Sequence, residues 1–406
     1  MDSSHKTFNR WLILVGAIII QLALGGIYAW SVFRKPLQGE PLNLTPTQAT
    51  LPFALVLVFF AFATIIGGRW QDKKGPKIVA TAGGILLGLG LILSGLLKSY
   101  PGIVVSYGII SGIGIGLAYV CPISAGVKWF PDMRGLITGI SVAGFGAGAL
   151  IVAPVAQRMI TSFNVFNTFI ILGIAFLIMV IIGAQILRNP PEGYKPEGWT
   201  PPPQTAGTSP AGFAPGEMLK TYQFYLIWLV YMFGCFAGLM IIGQTSPIGQ
   251  DVAKLSKEAA AWAVSILAIF NAIGRIFWGK VSDTMGRMKT LMFVFLICGI
   301  AVLLYLVIPG FPIYYWIGIS LVGLCFGGYL AVFPAVTADF YGTKSVGVNY
   351  GFVFTAYGIG GLLGNVFAPQ ILQTTKNYDL AFWIAGILCI ASFFLIFMIK
   401  QPKKKK

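Results

Sequence analysis

The sequence predicts an all-α polytopic membrane protein, with 12 transmembrane helices in two pseudo-symmetric six-helix bundles. Three observations predict it. Of 406 residues 57% are hydrophobic and only 10% are charged, whereas a soluble chain carries about 25% charged residues. The apolar residues fall in blocks of about 20, the length that crosses the bilayer core as a helix. A short glycine, aspartate and lysine signature that follows the second block returns after the eighth.

Twelve blocks are legible, at roughly 11–33, 49–68, 78–97, 102–127, 135–157, 164–187, 223–247, 258–279, 290–308, 312–337, 346–372 and 378–399. They lack the alternation of barrel strands, and a helix satisfies its own backbone in lipid. The first block is long enough to span and has no small-residue cleavage pattern, so it reads as a span rather than a signal peptide. Six blocks occupy residues 1–187 and six occupy 222–406, with a basic tail. Between them, residues 188–221, "RNPPEGYKPEGWTPPPQTAGTSPAGFAPGEMLKT", form a polar stretch rich in proline and glycine. Such a composition reads as a linker, here a cytoplasmic one.

A net charge of +16 would suit a nucleic-acid binder, but its distribution excludes that reading. With the N-terminus inside, 20 of the 28 lysines and arginines fall in inside segments and 7 outside, Arg34 and Lys35 among the latter. The remaining one is Arg275. This asymmetry follows the positive-inside rule and predicts that both termini are cytoplasmic. The terminal "KKKK" reads as a solvated or lipid-facing tail. Cys121, Cys235, Cys298, Cys325 and Cys389 lie within apolar blocks without metal spacing, so they read as packing residues. No metal or cofactor motif is present. One histidine, His5, and no acid within a span offer no catalytic set, which argues against an enzyme.

The two halves repeat one plan. "GRWQDKKGPK" starts at Gly68 and "GKVSDTMGRMK" at Gly279. Gly68 and Gly279, Asp72 and Asp283, and Gly75 and Gly286 each differ by 211, while Pro122 and Pro334 differ by 212. Two equivalent bundles imply a cleft between them, where many transporters bind substrate. Glycine ridges at 108/112/116, 144/146/148 and 358/360/361/364 let helices approach closely. They suit static packing as well as surfaces that slide or rock.

"FNAIGRIFWGK" holds the one cation placed inside a span; the twelve acids and the other cations fall in loops, tails or span ends. An arginine at bilayer depth costs from about 3 to over 10 kcal/mol. It needs an anion, a wet cavity or an escape to the interface. Ser265, Ala268, Asn271, Ala272, Arg275 and Gly279 lie on one small, polar helical face, which points Arg275 into the cleft with Asn271 one turn away. A side chain reaching back about 6–8 Å to the headgroups is the alternative. No carboxylate of the chain is available within the spans, so the natural partner in the cleft is a substrate anion, held by two parallel hydrogen bonds. Tyr28, Tyr119, Tyr329 and Tyr357 are candidates for hydroxyl contacts, and Phe145 for an apolar wall.

The repeated signature resembles that of the major facilitator superfamily. More narrowly, "GGIYAWSVF", "WFPDMRGLITGISVAGFGAG", "GEMLKTYQFYLIW" and "NYGFVFTAYG" resemble the oxalate/formate antiporter family, which is akin to the monocarboxylate transporters. The resemblance implies alternating access by two bundles in a bacterial inner membrane, by a monomer without cofactor. It implies that Asp72, Asp283 and Arg134, with Lys73, Lys74 and Lys77, help to shut the cytoplasmic side. It also implies a functional arginine at Arg275 and functional positions at Tyr119 and Tyr357. Oxalate-handling relatives carry a second cation, a lysine, where this chain has Tyr357. One fixed cation balances one carboxylate, and a dianion would leave a charge uncompensated in a low dielectric. The expected cargo is therefore a monocarboxylate such as L-lactate, pyruvate, acetate or glycolate. Animal monocarboxylate transporters carry an aspartate and a lysine where this chain has Asn271 and Val32. Proton symport and anion exchange both remain open, and the kinship favours symport. A carboxylate sensor or a channel are rival classes; no large soluble output domain supports the first, and the paired bundles with one binding cation suit a carrier better than the second.

Overall fold

The structure, a computed structural model, describes residues 9–130, 132, 134–191, 194–196, 213–307, 312–342 and 346–402. His5, most of the inter-bundle linker and the Lys403–Lys406 tail lie outside the described residues. Among the described residues twelve long helices follow in order. They are α1 (Arg10–Gln38), α2 (Pro46–Lys74) and α3 (Pro76–Leu97). Next come α4, built from Tyr100–Ile103, Val104–Ser111 and Gly112–Trp129, then α5 (Arg134–Phe163) and α6 (Val165–Ile186). The second half holds α7 (Tyr222–Asp251), α8 (Lys257–Met285), α9 (Arg287–Val307), α10 (Pro312–Tyr341), α11 (Val346–Thr375) and α12 (Asp379–Ile396). Among the described residues 11 of these are long and apolar enough to cross a membrane. The 21-residue α9 stands ninth and completes the twelve-helix fold.

Local chemistry sets the ends. Thr45 and Gln48 cap α2 reciprocally: the Gln48 backbone N–H donates to Thr45 Oγ1 at 3.2 Å, and the Thr45 N–H to Gln48 Oε1 at 2.9 Å. Ser256 caps α8 through the Ala259 N–H. At the far ends Gly75 (φ 82°) and Gly286 (φ 91°) leave the helical region in a conformation that L side chains disfavour. These two positions are repeat mates, so one backbone device closes both signatures. The glycine-to-aspartate part of each signature is helical rather than loop, since α2 and α8 run up to those glycines.

The packing obeys a pseudo-two-fold. In the first bundle α3 packs on α6, α2 on α4 and α1 on α5. In the second α9 packs on α12, α8 on α10 and α7 on α11. Between bundles α2 packs on α11 and α5 on α8. The outer helices turn apolar side chains outward, Ile171, Ile174, Ile178 and Ile182 from α6 and Trp383, Ile387 and Phe394 from α12. That is the surface lipid requires.

The glycine ridges divide by partner. Gly108, Gly112 and Gly116 press on Leu55, Val56, Phe59 and Phe60 of α2, inside their own bundle. In α5, Gly144 and Gly148 face α1, whereas Gly146 faces Asn271 and Arg275 across the seam. In α11, Gly360 and Gly364 face α7, whereas Gly358 meets Leu57 and Ala61 of α2. The α4 ridge is therefore static packing, and only the cross-seam glycines lie on a surface that can move.

α1 departs from the expected span. A tight 3₁₀ turn, Gly26–Ala29, interrupts it, and the helix then continues to Gln38, beyond the apolar run. As a result Arg34 is not a solvated loop residue but is 1% exposed, walled by α2 and α7. Among the described residues two charged side chains are buried, Arg34 and Arg275.

Candidate functional site

The polar face of α8 meets α5 of the other bundle. Ser265 Oγ donates to the Leu150 carbonyl at 2.9 Å, and Ala272 lies under Gly146. An α-helix places residues four apart on one face, so Asn271 and Arg275 share this contact. Arg275 is 3% exposed and Asn271 is fully buried. Arg275 Nε donates to Asn271 Oδ1 at 3.0 Å, and Nη1 donates to the Val142 carbonyl at 2.6 Å. The guanidinium carbon stands 5.9 Å from the centre of the Phe145 ring, at the outer edge of cation–π range. The side chain thus lies in the seam between bundles and bridges them.

Two donor groups there have no hydrogen-bond partner, Arg275 Nη2 and Asn271 Nδ2. A buried donor left unpaired costs about 1–3 kcal/mol, more when charged. No buried carboxylate is present among the described residues to receive them. The arrangement offers one fixed positive charge, one free guanidinium nitrogen and one amide nitrogen, which matches the two oxygens of a single carboxylate.

An aromatic cage surrounds this fork. Tyr28 and Tyr357 bring their hydroxyls to 3.0 Å across the two bundles. Phe145 meets the Tyr28 ring edge-on at 5.3 Å and the Tyr119 ring at 5.2 Å. Phe354 stacks on Tyr357 at 4.7 Å, and Phe60 stands 5.0 Å from Tyr119 and 5.6 Å from Tyr357. Arg275, Asn271, Tyr28, Tyr119, Phe145 and Tyr357 are therefore brought to one place. The 3₁₀ turn in α1 sets the direction of Tyr28.

Tyr329 is placed elsewhere. Its ring stacks on Phe295 of α9 at 4.5 Å, inside the second bundle, and its hydroxyl has no hydrogen-bond partner. Phe60, Phe326 and Phe354 join the cage without having been singled out in the sequence. The repeat of aromatics three apart in "FTAY" (Phe354, Tyr357) is the one signal that could have found Phe354. A backbone acceptor such as the Val142 carbonyl has no sequence signature at all.

Of the expected gating residues, Asp283 pairs with Arg287 one turn on at 2.5 Å, and Arg287 also reaches Asp339 at 3.4 Å, all within the second bundle. The side chains of Asp72 and Arg134 lie outside the described residues. Arg10 of α1 pairs with Asp132 at 2.8 Å and covers the Phe130 ring at 4.6 Å, again inside one bundle. Cross-bundle polar contacts gather instead on the opposite face, beside the α1–α2 loop. There Lys35 pairs with Asp251, Arg34 donates to Gln244 Oε1, and Gln373 donates to Thr47 Oγ1 at 2.9 Å.

The model of the Major Facilitator Superfamily matches residues 7–319 and 247–406. The MFS-type transporter YhjX of Escherichia coli (strain K12) is 30% identical over 364 residues, which are 89% of this chain and 88% of that one. The oxalate:formate antiporter of Oxalobacter formigenes is 30% identical over 404 residues, 98% of this chain and 94% of that one. Monocarboxylate transporter 12 of Rattus norvegicus is 26% identical over 427 residues, 98% and 86% of the two chains. Among solved structures, a bacterial homologue of the human lysosomal transporter Spinster, inward-facing and unoccupied, superposes with a TM-score of 0.66 at 17% identity, covering 96% of this chain and 95% of that one.

Proposed function

Because the chain belongs to the major facilitator superfamily, whose members are transporters rather than enzymes, we propose that its cargo is a small monocarboxylate of the lactate and pyruvate class, moved by alternating access with a proton. The observation that carries this reading is Arg275: a buried guanidinium bonded to an amide and a carbonyl, with no buried acid among the described residues, and with one nitrogen unpaired beside the unpaired Asn271 amide. Likeness to an oxalate:formate antiporter and to monocarboxylate transporters supports the carboxylate class. Tyr357, where oxalate-handling relatives carry a lysine, supports one carboxylate rather than two.

Arg275 and Asn271 bind the carboxylate, and Tyr28, Tyr119 and Tyr357 offer hydroxyls around it, with Phe145 as apolar wall. The cargo neutralises the guanidinium, so the loaded seam can open to either face at lower electrostatic penalty than the empty one. Both termini are assigned to the cytoplasm of a bacterial inner membrane, with residues 188–221 as the cytoplasmic linker and the monomer as the working unit. Asp72, Asp283 and Arg134 are assigned to closure of that face. The α1–α2 face is then external.

Anion exchange is the second reading, and one observation favours it: among the described residues no aspartate, glutamate or histidine is buried near Arg275 to carry a proton. Proteoliposomes separate the two. Symport predicts that acidifying the outside drives labelled lactate into empty vesicles. Uptake that ignores the pH step and requires internal carboxylate would replace symport by exchange. Under either coupling, Arg275→Ala abolishes uptake while insertion into the membrane is unchanged.

A further inference from the structure

Arg34 and Gln244 reproduce, nearer the α1–α2 face, the donor arrangement of Arg275 and Asn271. Both arginines are buried, at 1% and 3% exposure. Each is held by one side-chain amide oxygen and one backbone carbonyl. Arg275 uses Asn271 and Val142; Arg34 uses Gln244 and, through Nη2 at 3.3 Å, Pro46. Each leaves one guanidinium nitrogen and the amide nitrogen of its partner unpaired: Arg275 Nη2 with Asn271 Nδ2, Arg34 Nε with Gln244 Nε2. In each case one of the two hydrogen bonds crosses between bundles, Arg275 to Val142 and Arg34 to Gln244. Arg34 lies on α1 and Gln244 on α7, while Arg275 lies on α8 and Val142 on α5.

The outer group has a third unpaired donor. Tyr378, in the α11–α12 connection, is buried, and its hydroxyl has no hydrogen-bond partner. Burial pushes this hydroxyl up to about 12, with the Arg34 guanidinium pulling it down and Asp251 pushing it up. It therefore stays a neutral donor at any physiological pH. The nearby carboxylate, Asp251, is engaged by Lys35. An unpaired guanidinium nitrogen with two further buried unpaired donors, and no carboxylate hydrogen-bonded to Arg34 among the described residues, form a place for an anion's oxygens, not a completed internal network.

We propose that Arg34, Gln244 and Tyr378 form a second carboxylate site, an outer station that a small carboxylate occupies when the bundles part on the α1–α2 face. The proposal rests on the carboxylate-carrier reading above. Arg34 stands six residues beyond Tyr28 on α1, about 9 Å along the axis, so cargo at the outer station is within two helical turns of the aromatic cage. Closure re-forms the Arg34 to Gln244 bond only after the carboxylate has moved inward. The same groups thus admit the anion and seal the face behind it.

Equilibrium dialysis of labelled L-lactate against the purified full-length chain tests this. The wild type is expected to bind two lactates per chain at saturation, Arg275→Gln one, Arg34→Gln one, and the double variant none. Arg34→Lys, which keeps the charge, retains the second site. Gln244→Ala weakens it by about tenfold, the effect of losing one hydrogen bond to a charged ligand. The Arg275→Gln chain is decisive because it leaves α1 and α7 untouched. One lactate on the wild type and none on Arg275→Gln overturns the outer station alone. No lactate on the wild type overturns the carboxylate reading and the station with it.

Discussion

Replacing Arg275 by lysine keeps the charge and removes the fork. A lysine ammonium cannot hold Asn271 Oδ1 and the Val142 carbonyl while offering a coplanar N–H to the cargo. Hydrogen bonds to charged groups are worth about 1.5–3 kcal/mol, so Arg275→Lys is expected to lower lactate uptake by at least about tenfold, measured as initial rates per inserted protein. Tyr357→Lys changes the charge count of the cage instead. It removes the hydroxyl bonded to Tyr28 and adds a second cation, and the expected outcome is a shift in preference from lactate toward oxalate. An unchanged substrate profile counts against charge matching. Arg275 was legible in the sequence because its charge interrupts an apolar run. Arg34 was not, because the apolar run stops at Phe33 while the helix, packed by α2 and α7, does not. The direction of Tyr329 was equally hidden, since a tyrosine on a membrane helix serves packing as readily as a cleft.

At the scale of elements, two glycines two residues apart on α5 separate stability from transport. A Cβ on Gly148 would lie 2.5 Å from the Gly25 carbonyl carbon and 2.6 Å from the Leu22 oxygen, backbone atoms that cannot yield. Overpacking of this kind costs about 1–3 kcal/mol, so Gly148→Val is expected to lower the melting temperature of the purified chain. A Cβ on Gly146 would lie 2.7 Å from Asn271 Oδ1 and 3.2 Å from Arg275 Nε, side-chain atoms that can move. Gly146→Ala is expected to leave the melting temperature nearly unchanged and to raise the KM for lactate. Equal losses of stability in the two variants would contradict the division of the ridge. The ridges themselves were visible from spacing; which glycine faces which partner was not, because that depends on the rotation of each helix in its bundle. The helices, by contrast, followed from apolar length: among the described residues 11 of the twelve are long and apolar enough to cross a membrane.

For the whole molecule, the described cross-bundle polar contacts lie at the centre of the seam and on the α1–α2 face, which the structure holds closed. Lys35 and Asp251 are both partly exposed, and such pairs are worth about 0–1 kcal/mol. Reversing one charge, Lys35→Asp, is expected to shift the balance between the two open states by a factor of up to about five. Combining it with Asp251→Lys restores the wild-type rate, read as lactate counterflow. Failure of the double reversal to restore it removes this pair from closure. The two-bundle plan was legible because the signatures recur at one offset, and the structure adds that each ends on a positive-φ glycine.

The central claim is that a carboxylate neutralises Arg275, and thermal stabilisation of the purified chain across a matched panel tests it most directly. A ligand that binds only the folded state raises the melting temperature as RT ln(1 + [L]/Kd). Lactate and pyruvate at fixed ionic strength are expected to stabilise the wild type, with oxalate weaker and the neutral isostere lactamide without effect. The part of the lactate shift that comes from the central site disappears in Arg275→Gln, so its shift is smaller than that of the wild type. Equal stabilisation by lactamide, or a full lactate shift in Arg275→Gln, would contradict the account.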